Sequence, residues 1–116
     1  MPYWNLDVYR KAYDLALEIH RNSLNFPKHE QHELASQLRR ASKSIPVNLV
    51  EGMGKHASSK DVKRYIKIAM GSNDEVRLWL KFSKDLSYLP EESYQDLSVR
   101  YEEVGKMLGG LLKRYT

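Results

Sequence analysis

The stretch Gln37 to Lys55, QLRRASKSIPVNLVEGMGK, has its apolar residues at helical spacing and a proline, Pro46, inside the pattern. A proline in a helix interior lacks the backbone donor and crowds the preceding turn, at a cost of roughly 3 kcal/mol. The expectation is a helix bent at Pro46, with the Ser42 carbonyl freed for a polar side chain or water. The helix spans about His29 to Gly54, with an inward stripe of Leu34, Leu38, Ala41, Ile45, Asn48 and Gly52. Gly52, Gly54 and the serines after them close it.

Three further segments carry the same period. The first, about Asn5 to Ser23, places Val8, Ala12, Leu15, Ala16 and Ile19 on one face, with Asn5 as its expected cap. Ser58 and Asp61 form a capping box shortened by one carbon and open a third helix to about Ser87, with the stripe Val62, Ile66, Ala69, Asn73, Val76 and Leu80. After SYLPEE, in which Pro90 suits the first turn, the last helix carries Tyr94, Leu97, Tyr101, Val104, Leu108, Leu111 and Tyr115. No strand period or repeat competes. The predicted fold is all-α: residues 1–116 as one antiparallel up-down-up-down four-helix bundle.

Composition narrows the function classes. The chain has 116 residues and no cysteine, which excludes disulfides, thiolate nucleophiles and cysteine zinc sites together. It has no apolar run of bilayer length and no leader pattern, so the expected location is the cytoplasm, with no membrane partner. The net charge of +4 is unevenly spread. Between Ser36 and Lys67 eight cations face two acids, a local +6, which leaves −2 for the remainder. A basic middle on a slightly acidic chain points to a polyanionic partner.

Lys60, Lys63, Arg64 and Lys67 fall on one helical face, and Arg39 with Lys43 aligns similarly on the second helix. With Arg40 and Lys55 these are the candidate nucleic-acid-binding residues, expected to merge across an antiparallel helix pair into one phosphate-binding surface for RNA or DNA without base readout. A lysine-rich face kept for solvation is the competing reading. Asn48 and Asn73 on neighbouring inward stripes suggest a shared polar layer, with Glu51 and Ser72 as further members. One version makes Glu51 a general base; the other makes the layer a register device. The second is preferred, so no catalytic residue is assigned. GMGK, Gly52 to Lys55, lacks the first glycine and the hydroxyl residue of a phosphate loop. HEQHE, His29 to Glu33, has the wrong spacing for zinc. No metal or cofactor is expected. Surplus aromatics, Tyr9, Tyr13, Trp79, Phe82 and Tyr94, suggest self-association.

SIPVNLVEG (Ser44 to Gly52), AMGSNDEV (Ala69 to Val76) and EEVGKMLGGLLKRY (Glu102 to Tyr115) together resemble the four-helix bundle family encoded in intervening sequences of bacterial 23S rRNA genes. The opening LDVYRKAYDLALEIH is also similar to the family's start, with Tyr9 where a tryptophan is common, so the resemblance covers essentially the whole chain. It implies a ring-forming bundle, typically a pentamer, with no assigned catalysis, and kinship with Avd, the nucleic-acid-binding accessory protein of diversity-generating retroelements. A protein-docking bundle, for instance one serving a reverse transcriptase, is the alternative function it leaves open. The matching family positions are Arg39, Ser44, Pro46, Asn48, Glu51, Gly52, Gly71, Ser72 and Glu75, with Asn73 beside them.

Overall fold

In the computed structural model, which describes residues 2–54 and 57–116, four helices carry the chain: α1 (Asp7–Ser23), α2 (Leu34–Gly52), α3 (Ser59–Asp85) and α4 (Glu91–Lys113). Short 3-10 turns at Tyr3–Asn5 and Lys28–Glu30 precede the first two. No strand occurs among the described residues, and no helix is long and apolar enough to cross a membrane. The inward faces form one core in which Leu15, Ile19, Leu38, Ile45, Leu49, Ile66, Leu80, Tyr101 and Leu108 are almost wholly buried.

Partners pair in opposite sense along neighbouring helices. Ser44 meets Ser72 while Gly52 lies against Tyr65, and His20 meets Lys43 while Ser23 meets Arg39. Asn73 reaches the Tyr101 carbonyl, and Arg100 of α4 returns to Glu18 of α1. Each helix thus buries its stripe against two neighbours, as a bundle requires.

Several local expectations change. Asn5 does not cap α1; it ends a 3-10 turn, and Leu6 precedes the helix without a side-chain cap. The second helix begins at Leu34 rather than near His29, because Glu33 adopts φ −116° and ψ −107°, outside the helical region. HEQHE therefore forms a corner, not a first helical turn. Its Gln31 amide donates to the carbonyls of Ser23 (2.9 Å) and Phe26 (3.0 Å), satisfying groups that the end of α1 leaves over. The inward face of α2 also sits slightly off the expected stripe: Ala35 and Leu49 are buried, whereas Leu34 and Asn48 are half-buried. Pro46 is buried within α2, which continues through it as helix.

The capping box at α3 is present in full, with Asp61 N–H donating to Ser58 Oγ (3.1 Å) and Ser58 N–H donating to Asp61 Oδ2 (3.3 Å). These bonds, more than the neighbouring Arg64 and Lys60, hold the Asp61 carboxyl below its ordinary range. At the other end, Ser87 takes φ 67°, and the Tyr88 N–H donates to Ser83 O (2.8 Å) while that of Ser87 donates to Lys84 O (2.9 Å). That is a Schellman turn with serine where glycine is usual.

Candidate nucleic-acid interface

Helical spacing brings Lys60, Lys63, Arg64 and Lys67 to one outward face of α3, opposite the buried Val62, Ile66 and Ala69. Lys60, Arg64 and Lys67 are exposed and Lys63 is half-buried. No ion pair among the described residues engages any of the four. The one acid within the stripe, Asp61, is held by Ser58. The Arg64 guanidinium lies over the Tyr65 ring, 4.7 Å from its centre, while the residue as a whole stays exposed.

Two of the α2 cations, Arg39 and Lys43, face α1 and not this stripe. Arg39 turns toward α1, where its guanidinium donates to Ser23 Oγ (2.8 Å), Gln31 O (2.8 Å) and Gln31 Oε1 (3.2 Å). Half-buried and engaged on three acceptors, it braces the corner between α1 and α2. Lys43 also faces α1, with Nζ 3.0 Å from His20 Nδ1. Lys43 first, then burial, then Arg39 and Arg21 push the His20 imidazole below its usual pKa. Arg40 is exposed, and Lys55 lies outside the described residues. The split follows from helix phase: α2 presents Ser44 and Asn48 to α3, so the positions that look toward α1 carry Arg39 and Lys43.

The expected polar layer also divides. Asn48 Nδ2 donates to Ser44 O (2.7 Å) and Ser44 Oγ (2.9 Å), and Ser44 Oγ shares a 2.8 Å bond with Ser72 Oγ, which ties α2 to α3 near the surface. Asn73 belongs elsewhere: it is 1% exposed and its Nδ2 donates to Tyr101 O of α4 (3.1 Å). Its Oδ1 and the Tyr101 hydroxyl have no hydrogen-bond partner among the described residues. Burial raises the Tyr101 pKa. Glu51 is exposed, as are Gly71 and Glu75, and Glu75 Oε1 accepts from Trp79 Nε1 (3.2 Å). Among the described residues no cluster of three or more potential ligands is arranged to hold a metal ion.

Sequence periodicity singled out no groove between α1 and α2, yet one of about 490 Å3 lies there, lined by Tyr9, Tyr13, Leu17, Val47 and Val50 with His20 and Lys43 at its polar edge. Its signal was available in Val47, an apolar residue opposite the stripe of α2. A second apolar surface of Trp79, Phe82 and Leu86 lies beside Glu30 and Glu33 on the α2–α3 side.

Comparison with known proteins agrees with this architecture. A crystal structure of a protein of unknown function from the S23 ribosomal protein family of Bacteroides thetaiotaomicron superposes with a TM-score of 0.84. It is 22% identical and covers 91% of this chain and 95% of its own, which is a likeness of fold. No curated protein matches. The family model described as 23S rRNA-intervening sequence protein matches residues 4–110, nearly the full span of the four helices, and the chain belongs to that family.

Proposed function

We propose that this protein is a non-enzymatic, oligomeric bundle that holds RNA or DNA by its phosphates, without reading bases. The observation that carries the proposal is the α3 stripe: Lys60, Lys63, Arg64 and Lys67 project from two turns of one rigid helix with no carboxylate paired to them among the described ion pairs. Uncompensated cations on a fixed face attract a polyanion, and each phosphate contact releases condensed counterions. Arg39 is left out of the contact surface because its donors are engaged, and Lys43 serves a different face. The assembly is a homo-oligomer in the cytoplasm, a pentamer if it follows the resemblance.

The test is fluorescence anisotropy with a generic RNA duplex across a salt series, comparing the native chain with the variant carrying Lys60→Gln, Lys63→Gln, Arg64→Gln and Lys67→Gln. Four contacts correspond to a log–log salt slope of roughly −3 to −4 per subunit engaged. The variant should bind more weakly and with a flatter slope. Equal binding by the two would sink the assignment. The second reading, a bundle that docks proteins only, draws on the exposure of Val47 (55%) and Phe82 (47%) and forecasts no RNA complex near physiological salt.

A further inference from the structure

The groove between α1 and α2, at about 490 Å3, falls within the size range of small-molecule sites. Two of its lining residues, Ala16 and Pro46, are buried and short, while Tyr13, Leu17 and Val47 around them stay 49%, 38% and 55% exposed. Apolar surface left open in this way on a small domain marks an interaction site. The groove follows α1 from Tyr9 to His20, roughly 16 Å at the rise of an α-helix.

Its polarity changes along that length. The end at Tyr9 and Val50 is apolar and aromatic, and Tyr3 packs edge-on against Tyr9 with ring centres 5.0 Å apart. The other end holds Lys43 and His20, the only basic side chains in the described lining. Lys43 Nζ stands 3.0 Å from His20 Nδ1, so one of its three donors is directed to the ring and two remain. Lys43 in turn keeps the His20 imidazole from charging at neutral pH, and that end therefore carries one cation, not two. No Asp or Glu of the described residues lines the groove. The acids on the same stretch of α1 are turned elsewhere: Glu18 accepts from Arg100 of α4, and Asp14 lines a cleft with Lys11 and Glu103. The other open apolar surface, at Trp79 and Phe82, has acids in its lining, Glu30 and Glu33.

We infer that the groove binds a soluble amphipathic monocarboxylate, its extended apolar tail laid along Tyr13, Leu17 and Val47 and its carboxylate on the two remaining donors of Lys43. The sign of the head group follows from the lining: a carboxylate gains charge-assisted hydrogen bonds at Lys43, whereas an ammonium there would meet a cation and no acid. A single cation suits a singly charged head. The far end offers a second carboxylate nothing but tyrosine hydroxyls, which sets a monoacid above a diacid. Tail length follows from the span, since about ten to twelve carbons in an extended chain reach from Lys43 to Tyr9. The groove shares no residue with the α3 stripe, so the inference stands apart from the phosphate-binding proposal.

Decanoate, kept below its micelle concentration, is the probe, titrated into the native chain by calorimetry with NMR amide shifts to locate it. One decanoate per chain is expected, with the shifts concentrated at Tyr13, Leu17 and Val47. Octanoate, two methylenes shorter, should bind about tenfold more weakly. Decyltrimethylammonium, with the same tail and the opposite charge, should bind more weakly than decanoate by at least about tenfold. Lys43→Gln should cost decanoate about tenfold in affinity and leave the neutral decanol unaffected, which a loss of fold would not do. Val47→Asp should abolish uptake, and the same change on the other apolar surface, Phe82→Asp, should not, with far-UV circular dichroism verifying that both are folded. Shifts centred on Trp79 and Phe82, equal binding of the ammonium amphiphile, or undiminished decanoate affinity in Lys43→Gln would each overturn the inference. So would a native chain that takes up no decanoate, and light scattering would then show whether a second copy fills the groove instead.

Discussion

Gly52, in the last turn of α2, lies so close to Tyr65 of α3 that a Cβ added to it would sit 2.8 Å from the Tyr65 Cβ. Backbone of one helix therefore packs directly on the side chain of the next, and the glycine is there for the contact, not for an unusual φ. Gly52→Ala gains helix propensity of about 1 kcal/mol but forces α2 and α3 apart, which costs about 1–3 kcal/mol. The net expectation is a destabilisation of roughly 1 kcal/mol in urea unfolding. Gly71→Ala, where an added Cβ meets nothing within 4 Å, should stabilise by a similar amount.

Arg39 should behave as a structural residue. Arg39→Ala removes three hydrogen bonds and leaves part-buried acceptors at Ser23 and Gln31, for a loss of about 1.5–3 kcal/mol. Lysine cannot reproduce the planar fork, so Arg39→Lys should recover less than half of the loss. RNA affinity, measured where the variants remain folded, should be unaltered. A fall in affinity equal to that of an α3 stripe substitution would return Arg39 to the phosphate surface.

Ser87 is the one non-glycine residue with positive φ among those described. Glycine fits that conformation without the Cβ penalty, so Ser87→Gly should raise stability by about 0.5–1 kcal/mol, even though glycine loosens the unfolded chain. Thermal unfolding would show it as an upward shift in Tm, and a downward shift would contradict the Schellman geometry.

His20 supplies a pH dependence with a definite sign. Cations around it lower its folded pKa below the unfolded value near 6.5, so the unfolded chain binds more protons in the window just under 6.5. Stability should therefore fall as pH drops through that window. Lys43→Gln removes the largest cause and should flatten the fall without abolishing it, as read from Tm between pH 7.5 and pH 5.5. An unchanged pH profile would show that the His20–Lys43 contact is not maintained in solution.

The helical period was legible because core burial imposes it on every helix: Val8 to Ile19, Val62 to Leu80 and Leu97 to Leu111 are buried where their spacing places them. So was the start of α3, since a capping box is a local exchange of hydrogen bonds between residues three apart. Membership of a four-helix family followed from the same run that holds Pro46. The direction in which each cation points did not follow. Arg39 and Lys60 look alike in a charge count, but a turn of α2 by a single position decides whether a guanidinium meets Ser23 or solvent, and only the packing of α1 on α2 sets that turn. Asn48 and Asn73 likewise share a sequence pattern, yet one bonds within α2 and the other reaches Tyr101 of α4. Sequence alone determined which residues repeat at helical spacing, because that is local chemistry. Tertiary structure decided which polar groups find partners and which remain free, because hydrogen bonds and ion pairs between helices depend on rotations and distances that no residue specifies by itself.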